Sequence, residues 1–441
     1  MPVSEVKTII IGSGISGLSS AHFLAKKTDD FLLLEAKNKL GGILQTVKED
    51  NFICENGPNT LLLNNDAIIE LVKDCGLWED VIYPSKLTSQ NRYVLNHNEI
   101  TNIPIDIKSF IKSPLISAKA KFRMVAEPFF KRHNKDVTVL NFITKRFGRE
   151  FHDKLIEPFL TGIYAGDTNK MSAKYTLKLL WELEQNYGSI LIGLIKRKNK
   201  KINSFNLPNG INELISKVSK NIENNILLNC PVLKIEKNKN KYKVITNKQI
   251  FVCEKIISAV PAYALERFVW DEQLLKVLQN VVYNPIDVFH YGLSKKHIYN
   301  FKKGFGILTK PSDNKNFLGI LFSSQIFSHV SPNDTELYTV LVGGERQKEL
   351  CFKESRELNK IIFKELKDLI NYKGEILYSN HYRWPNGIPQ YNLDQGVIIR
   401  EINKFESKNQ NFHITGNFFD GISVSDCVKK AKIKANLIYN T

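Results

Sequence analysis

The chain has 441 residues, a formal net charge of +17, and 43% hydrophobic and 24% charged residues. This is the composition of a globular protein with two or three domains, and no apolar run approaches the roughly 20 residues of a membrane-spanning helix. The first predicted strand begins at Thr8, so we expect no signal peptide. The six cysteines lack C-x-x-C or metal-ligand spacing, which favours free thiols in a reducing, cytoplasmic compartment.

Basic residues outnumber acidic residues, and they are densest between Lys196 and Lys201. This run lacks interleaved aromatic residues and lies in a predicted loop, so a solvated loop is the first interpretation. Contact with anionic membrane lipid is the second. Nucleic acid comes last, because no recognition motif accompanies the charge, and we predict no nucleic-acid partner.

A dinucleotide-binding loop is predicted after the first strand, Thr8 to Ile11, where glycines follow at G-x-G-x-x-G spacing. Gly12 allows a tight turn, and Gly14 allows backbone to approach a pyrophosphate. Gly17 allows the following helix, predicted over residues 18 to 26, to pack closely against the strand. The N-terminus of that helix offers free N–H groups and the positive end of its dipole to phosphates.

An acidic residue follows the second predicted strand, Phe31 to Leu34. Glu35 at this position can accept hydrogen bonds from ribose hydroxyls, and its charge argues against the extra phosphate of NADP. Gly41 and Gly42 complete an E-x-x-x-x-x-G-G pattern. This pattern resembles the large FAD-binding family that includes glutathione reductase and the amine oxidases, and we therefore predict FAD as the cofactor.

The rest of the chain predicts helical and strand-rich regions in turn. The first half predicts a helix over 66–80 ending near Gly76, a hairpin over 91–104 around Asn96 to Asn98, a mostly helical region over 106–160 broken by Pro114, Pro128 and Pro158, and a helical stretch over 172–196. The second half predicts a three-stranded meander over 226–260 that returns to a strand ending at Pro261, strands over 281–345, and an amphipathic helix over 353–370. Residues 411–441 predict a strand (NFHIT), a turn (GNFFDG) and a C-terminal helix from Val424 to Ile438.

These elements predict an α/β fold with a Rossmann-like FAD-binding domain of the two-dinucleotide-binding type, a mixed-sheet substrate domain and a helical insert domain. The predicted bounds are 1–80, 206–262 and 396–441 for the discontinuous FAD-binding domain, 81–105 and 263–395 for the substrate-binding domain, and 106–205 for the insert. The insert is rich in Lys, Phe and Ile, which fits a cap or an element on a membrane surface.

Nine segments, in the same order along the chain, resemble one family. They are GSGISGLSSA, ENGPNTLLLN, SQNRYVLN, EPFLTGIYAGDTNKMS, SFNLPNGINEL, FGILTKPSDNKNFLGILFSSQIFS, LYTVLVGGERQKEL, YRWPNGIPQYN and GNFFDGISVSDCV. Together they resemble the oxygen-dependent protoporphyrinogen oxidases of haem biosynthesis, which belong to the flavin amine oxidase superfamily, with the coproporphyrinogen oxidases as close sisters. The resemblance implies that a porphyrinogen is dehydrogenated in three two-electron steps, with hydride transfer to the flavin, oxygen as acceptor and hydrogen peroxide as product.

The same resemblance implies that the flavin carries the chemistry, with no catalytic side chain beyond it and no metal. Arg92 aligns with an arginine that pairs with a propionate, a role that suits a planar guanidinium. Gly162 would let backbone approach the ring, and Leu308, Leu321 and Leu341 align with apolar residues above and below it. Position 341 is Leu where some relatives carry Phe, which removes an aromatic stacking surface. A surface arginine, a turn glycine and core leucines are the alternative interpretations.

The resemblance also implies FAD contacts beyond the first unit: a loop near the isoalloxazine, a residue whose backbone contacts adenine, a tryptophan near the flavin, and a segment leading into the last helix. The dipole of that helix would stabilise reduced flavin. Many relatives carry a glycine after Val424, where Ser425 follows here. The predicted set is Gly12, Ser13, Gly14, Ile15, Ser16, Gly17, Glu35, Ala36, Gly41, Gly42, Gly57, Pro58, Asn59, Thr60, Val232, Trp384, Gly416, Asp420, Ile422, Ser423 and Val424.

Three hypotheses stay open. The first is an oxidase of protoporphyrinogen IX, with coproporphyrinogen III as the alternative substrate; one basic contact, Arg92, favours the former, and the many lysines keep the latter open. The second is an amine oxidase or carotenoid desaturase, and the third is a flavin-binding protein without turnover. The predicted partners are a tetrapyrrole, oxygen and the inner face of the cytoplasmic membrane, while a homodimer stays open.

Overall fold

The computed structural model of the chain describes residues 2–96, 99–197, 203–419 and 421–440. Three features of the sequence analysis fall outside these ranges. Asn98 of the predicted hairpin turn, residues 198–201 of the basic run and Asp420 of the predicted cofactor set lie outside the described residues.

A five-stranded parallel sheet contains the predicted β-α-β unit. Its strand order is Ile226–Leu227, Phe31–Leu34, Thr8–Ile11, Lys255–Ser258 and Phe412–Ile414. Both faces are covered, which is why the central strands are continuous apolar runs. Helices Ile15–Ala25 and Val424–Asn440 pack on one face, and helix Gln395–Lys408 packs on the other. The sheet therefore draws on the beginning, the middle and the end of the chain.

The first helix begins earlier than predicted. It spans Ile15–Ala25, whereas the sequence pattern indicated residues 18 to 26. Gly14 is its N-terminal cap, with φ −63° and ψ 174°, so the helix starts directly after the glycine turn. The next predicted helix is observed at Asp66–Asp74, and it ends before Gly76, whose φ of +68° favours glycine.

A four-stranded sheet contains the predicted meander. Strands Val232–Asn238, Lys241–Thr246 and Ile250–Cys253 are antiparallel neighbours, and Val3–Glu5 joins the last of them in parallel. The three-stranded meander is therefore confirmed. Its predicted start at residue 226 is wrong, because Ile226–Leu227 belongs to the parallel sheet, where it is the edge strand beside Phe31–Leu34.

A seven-stranded mixed sheet forms the second large layer. Its strand order is Ile376–Pro389, Tyr283–Ser294, Thr335–Gly343, Gly319–Phe322, Gly306–Leu308, Tyr93–Asn96 and Glu99–Asn102. Neighbouring strands are antiparallel, with one parallel pair near the edge. One face buries Ile307, Ile320 and Val340 in a core that helix Ser355–Leu369 completes. This helix is the amphipathic helix predicted over 353–370.

Most residues between 107 and 196 are helical. The segments are Ile107–Lys112, Ala118–Val125, Glu127–Phe129, Val139–Phe147, Arg149–Phe151, a π-helical turn at His152–Ile156, Glu157–Tyr164, Ala173–Thr176, Lys178–Tyr187 and Ile190–Lys196. The predicted break at Pro158 is wrong, because the π-helical turn His152–Ile156 continues directly into helix Glu157–Tyr164. Pro158 lies in the first turn of that helix, where its missing N–H is tolerated. At the centre, the fully buried Arg146 donates to Glu127 at 3.0 Å and to Glu184 at 2.6 Å, which compensates the burial of its charge.

The remaining elements connect these layers. The other helices are Lys86–Gln90, Asn212–Lys220, Ala262–Leu265, Glu272–Gln279 and Ser323–Ile326, and short 3₁₀ turns span Glu223–Asn225, Lys295–His297, Pro311–Asp313, Ser328–Val330 and Lys348–Phe352. A hairpin pairs Thr46–Glu49 with Phe52–Glu55, and a two-stranded sheet pairs Leu61–Leu63 with Asn203–Phe205. Among the helices of the described residues, none is both long enough and apolar enough to cross a membrane. Parallel and antiparallel sheets with many helices confirm the predicted α/β fold class.

Candidate functional site

Two glycine turns face each other at the end of the first strand. The N–H of Gly41 donates to the carbonyl of Ser13 at 3.0 Å. Gly12, Gly41 and Gly42 have φ values of +94°, +99° and +61°, which glycine adopts without strain. A β-carbon at Gly17 would lie 1.8 Å from the Gly12 carbonyl oxygen, so a glycine here lets helix and strand approach closely. Both predicted glycine segments therefore form one surface.

This surface has the properties of a pyrophosphate site. A β-carbon added at Gly14 would meet no protein atom within 4 Å, so there is space for a ligand beside it. Helix Ile15–Ala25 has no side-chain cap and no acidic residue in its first turn, which leaves its N–H groups and positive dipole end to phosphate oxygens. Ser13, Ile15 and Ser16, which complete the predicted loop, are buried at the same turn. The residues thus fit a bound dinucleotide.

Glu35 lies beside the glycine surface. Its Oε2 accepts hydrogen bonds from the N–H and the hydroxyl of Ser13, at 2.8 and 2.5 Å. The N–H of Cys230 donates to the Glu35 carbonyl at 2.8 Å, and this contact brings the strand that begins at Val232 to the same edge. Ala36 follows Glu35 and is exposed. The Glu35 carboxylate is therefore held at the position where the sequence predicts a contact with a ribose of the cofactor.

The predicted isoalloxazine loop, Gly57 to Thr60, lies between the two large sheets, and its four residues are all partly buried. Trp384 of the seven-stranded sheet donates from Nε1 to the Asn56 carbonyl at 2.7 Å. Asn380 donates from Nδ2 to Asn56 Oδ1 at 3.0 Å. A β-carbon at Gly57 would lie 1.9 Å from a backbone carbonyl oxygen, so this position has no space for a side chain. The structure brings Trp384 to the start of the loop, as the prediction of a shared flavin site requires.

The last helix begins at the predicted C-terminal cofactor segment. The Ser423 hydroxyl accepts from the Asp426 N–H at 3.1 Å and donates to the Asp426 carboxylate at 2.6 Å. Ser423 therefore caps helix Val424–Asn440. Val424 packs in the same core cluster as Ile15. The N-termini of the first and last helices thus share one region of the protein.

Buried polar side chains hold the turn that precedes this helix. Lys430 donates to the Gly416 carbonyl at 2.5 Å. Gln395 and the Tyr391 hydroxyl donate to two further carbonyls of the turn, at 3.1 and 2.8 Å. Ile422, from the predicted cofactor set, packs against the apolar core of the helical insert. Tyr391 lies in the quoted segment YRWPNGIPQYN, and Lys430 and Gln395 lie outside the quoted segments; only the folded chain shows that the three support the turn.

The predicted substrate leucines lie on one face of the seven-stranded sheet. Leu308 pairs with Gly319, which pairs with Leu341, and Leu321 lies two residues beyond Gly319. Because side chains alternate between faces, all three leucines point away from the buried core face. Each is partly buried. A β-carbon at Gly162 would lie 2.6 Å from Leu308 Cδ2, so the helix that carries Gly162 lies directly over this leucine face.

Arg92 lies at the edge of the leucine face, by which we mean the surface formed by Leu308, Leu321 and Leu341. It precedes strand Tyr93–Asn96, in which Val94 pairs with Leu308. Alternation therefore places Arg92 on the leucine side of the sheet. Its guanidinium carbon lies 4.9 Å from the centroid of the Phe305 ring, and the residue is exposed. A cation thus borders an apolar surface.

Tyr382 is a residue of this surface that sequence patterns did not single out. The centroids of its ring and the Trp384 ring are 4.5 Å apart. Strand pairing places it in one row with Val288 and Leu341. A signal was available, because in a Y-x-W strand the two aromatic side chains point to the same face.

One group of described residues has the composition of a metal site. His152, Asp153 and Glu157 place ligand atoms within 4.8 Å of one another. Both ring nitrogens of His152 have protein partners, namely Asp153 at 2.6 Å and Thr168 at 3.0 Å. Asp153 also accepts from Arg149 at 2.7 Å. The group is a hydrogen-bonded network, and the expectation of no metal stays a prediction.

Comparison with known proteins identifies the family. Residues 15–439 match the family described as flavin containing amine oxidoreductase, and since this is nearly the whole chain, the chain belongs to that family. It is 27% identical over 480 aligned residues to protoporphyrinogen oxidase 2, chloroplastic/mitochondrial, of Arabidopsis thaliana, over 99% of the chain and 94% of that protein. It is 26% identical over 454 residues to coproporphyrinogen III oxidase of Staphylococcus aureus, over 97% of each.

A solved structure shares the fold. The crystal structure of an Exiguobacterium sp. 255-15 protein, provisionally described as a protoporphyrinogen oxidase, superimposes with a TM-score of 0.87 at 22% identity, over 99% of both chains. These comparisons confirm the predicted family, the fold class and FAD as the cofactor. The chain is a flavin-dependent oxidoreductase. The contacts assigned to individual residues stay predictions.

Proposed function

We propose that the chain oxidises protoporphyrinogen IX to protoporphyrin IX in three two-electron steps, with oxygen as acceptor and hydrogen peroxide as product. The leucine face bordered by Arg92 is the observation that supports this most directly. A porphyrinogen is a broad apolar ring with carboxylate arms, so its site needs an apolar surface and a cation. Three partly buried leucines and an exposed guanidinium supply both.

The side chains would bind and orient the ring. Gly162 lies in direct contact with Leu308, so the helix that carries Gly162 closes one side of the leucine face, and the ring would lie beside this contact. Leu341 and Trp384 pack against one apolar cluster, and Trp384 contacts the residue that precedes the Gly57–Thr60 loop. The leucine face therefore leads to the predicted flavin loop. Bound FAD supplies the hydride acceptor.

The proposed division into domains follows the same account. The five-stranded sheet takes its strands from three separate parts of the chain, and the seven-stranded sheet takes its strands from two others. These parts support an FAD-binding domain of residues 1–80, 206–262 and 396–441, a substrate-binding domain of 81–105 and 263–395, and a helical insert of 106–205.

Turnover in air tests the proposal. FAD-loaded protein is mixed with protoporphyrinogen IX, and porphyrin fluorescence and hydrogen peroxide are followed together. We expect one peroxide for each two-electron step, and porphyrin formation well above that of heat-inactivated protein. Porphyrin formation no faster than in the heat-inactivated control would contradict the proposal.

Coproporphyrinogen III is the second candidate, since the Staphylococcus aureus relative is named for it. It carries two more propionates in place of two vinyl groups and so needs more cationic contacts. The ratio of kcat/KM for the two porphyrinogens decides between them. Turnover of an amine would instead favour an amine oxidase, for which Tyr382 and Trp384 offer a pair of adjacent rings.

We also propose that the helical insert contacts a membrane surface from the cytoplasmic side. Phe122, Val125 and Phe129 are 78%, 72% and 88% exposed, and Lys119 and Arg123 are exposed beside them. Large exposed apolar side chains next to cations are typical of interfacial helices.

Flotation with vesicles tests this contact. The double variant Phe122→Ser/Phe129→Ser should float less with anionic vesicles than the wild type does. Phe352→Ser is the matched control, because Phe352 is 80% exposed but lies outside the insert. Equal flotation of the double variant and the control would contradict the proposal.

A further inference from the structure

A small cavity, lined by both polar and apolar side chains, lies between the predicted flavin loop and the leucine face. Its volume is about 10 Å³, the space of one water molecule. Its polar lining consists of Glu55, Asn59, Asn206, Ser323 and Thr339. Among the described residues that line this cavity, Glu55 is the acidic one, so it is the candidate for proton exchange.

The cavity adjoins both parts of the proposed site. Asn59 belongs to the predicted flavin loop, and Glu55 is the last residue of the strand that precedes this loop. On the other side, Thr339 pairs with Leu321 across the sheet. A water in the cavity would therefore lie between the flavin loop and a residue of the leucine face.

Glu55 has hydrogen-bonding capacity left for such a water. Its Oε1 accepts from the Ile211 N–H at 2.7 Å, and its Oε2 accepts from the Thr46 hydroxyl at 2.8 Å. A carboxylate offers about four acceptor positions, so further positions are available. Burial raises the pKa of Glu55 to about 7, because these two bonds and a third with the Asn206 side chain offset only part of the lost hydration.

The opposite wall of the cavity can orient a water but cannot hold its proton. The hydroxyls of Ser323 and Thr339 are 2.7 Å apart, and Thr339 Oγ1 is 3.0 Å from His290 Nδ1. His290 is fully buried. Burial lowers the pKa of His290 to about 3, so its ring stays neutral at physiological pH. The base on this cavity is therefore Glu55.

Two titratable groups near Glu55, the Cys54 thiol and the His329 ring, have pKa values that burial moves away from neutral pH. Burial raises the pKa of the Cys54 thiol to about 12 and lowers the pKa of His329. Lys48 and Glu213 hydrogen-bond to Asn209 at the exposed rim of the neighbouring turn. Burial also raises the pKa of Glu336, on the strand that carries Thr339. A titration with a midpoint near pH 7 is therefore assigned to Glu55 by its loss in a Glu55 variant and its persistence in a Glu336 variant.

We propose that Glu55 receives the proton that the substrate loses in each oxidation step, through a water held in this cavity. The proposal rests on the proposed function. In each step a C–H bond of the porphyrinogen breaks, and its electron pair leaves with the hydrogen as hydride to the flavin. A proton also leaves, from a pyrrole N–H bond in two of the steps and from the remaining meso C–H bond in the third. The electron pair of that bond enters the new conjugated double bond, and the proton goes to the water. The water passes a proton to the Glu55 carboxylate, which later releases it to solvent.

Infrared spectroscopy of the holoenzyme without substrate tests the titration directly. Glu55→Gln keeps an oxygen acceptor for the Ile211 N–H but cannot ionise. Glu336→Gln is the matched control, since Glu336 is also buried and accepts from a serine hydroxyl, at 2.5 Å, but does not line the cavity. We expect a protonated carboxyl band that disappears with a midpoint near pH 7 in the wild type and in Glu336→Gln, and that is absent from Glu55→Gln.

The rate of flavin reduction under anaerobic conditions tests the role. In the wild type, this rate should rise with pH through about 7, because only the carboxylate accepts a proton. Glu55→Gln should lower the rate about 100-fold and remove this pH dependence. Thr339→Val, which removes one polar wall, should lower it about tenfold while the infrared band persists.

Two results would overturn the inference: a Glu55→Gln enzyme within about twofold of the wild-type rate and with the same pH profile, or a wild-type protein without the carboxyl titration. If the wild-type flavin is reduced by neither porphyrinogen, the proposed function fails whatever the infrared spectra show. If the wild type turns over and Glu55→Gln does so equally well, the inference about Glu55 fails alone.

Discussion

The two large sheets build their sites in different ways. On the five-stranded sheet, the residues from Gly12 to Gly42 form the dinucleotide surface within one β-α-β unit. On the seven-stranded sheet, Arg92, Leu308 and Leu341 are distant in sequence and meet only through strand pairing. The first site therefore depends on local backbone geometry. The second depends on register, since a slip of one residue would turn a leucine to the other face.

The largest effect is expected at the glycines of the dinucleotide surface. In Gly17→Ala the new β-carbon would collide with the Gly12 carbonyl, so the free energy of unfolding should fall by about 3 kcal/mol or more. Gly14→Ala is the matched control, because its β-carbon meets no protein atom. The melting temperature of its FAD-free form should stay within about 2 °C of the wild type, while FAD binds about tenfold more weakly. Thermal melts and FAD titrations measure both, and equal melting temperatures for the two variants would contradict this account.

The next effect concerns Glu55, which lies between the two sites. Folding raises its pKa from 4.5 to about 7, so the folded protein binds this proton more tightly than the unfolded chain does. The resulting stability is fully present below about pH 4.5 and is lost as the pH rises through 7. Relative to Glu55→Gln, the wild type should lose about 3 kcal/mol of unfolding free energy over this range. Urea unfolding at several pH values measures it; a difference that does not vary with pH would show that the carboxyl is not perturbed.

A smaller effect is expected at Arg92, the cation that borders the leucine face. Arg92→Met should lower kcat/KM for protoporphyrinogen IX by roughly 10- to 100-fold, mainly through KM, because a charge-assisted hydrogen bond is lost. Arg123→Met is the matched control, since Arg123 also lies over a phenylalanine ring, at 4.6 Å, but in the helical insert. FAD content should be unchanged in both. An equal loss of activity in the two variants would argue against a specific carboxylate contact.

The smallest effects separate the two faces of the seven-stranded sheet. Leu341→Ala should raise KM about fivefold, since it removes roughly 1 kcal/mol of apolar contact with the ring. Val340→Ala, one residue away on the buried core face, should instead lower the melting temperature and leave KM unchanged. Steady-state kinetics and thermal melts of both variants test the assignment of faces. If KM changed in Val340→Ala and not in Leu341→Ala, the assignment of the two faces would be contradicted.

What could be predicted from the sequence follows the same division. The spacing of Gly12, Gly14 and Gly17 and the position of Glu35 sufficed for the dinucleotide surface, because each requirement acts within a few residues. The start of the first helix was missed because a glycine cap leaves no side-chain signal. The leucines of the second site came from a family resemblance, and alternation along the strands then explains why they share a face.

Some features had no local signal. Glu55 opens the quoted segment ENGPNTLLLN, but nothing in that segment marks a buried carboxyl beside a cavity. The cavity forms only when Ser323 and Thr339 are brought against the flavin loop. The polar supports Gln395 and Lys430 lie in ordinary helical patterns. Buried polar networks of this kind depend on contacts between distant elements, which periodicity in one segment cannot reveal.

The central claim is that the flavin of this chain takes electrons from a porphyrinogen bound at the leucine face. Anaerobic mixing of the yellow FAD-loaded protein with protoporphyrinogen IX, and separately with coproporphyrinogen III, tests it most directly, with flavin absorbance as the readout. We expect rapid bleaching, fastest with protoporphyrinogen IX, followed by recovery of the flavin and porphyrin fluorescence when air is readmitted. No bleaching with either porphyrinogen, in protein shown to hold FAD, would contradict the account.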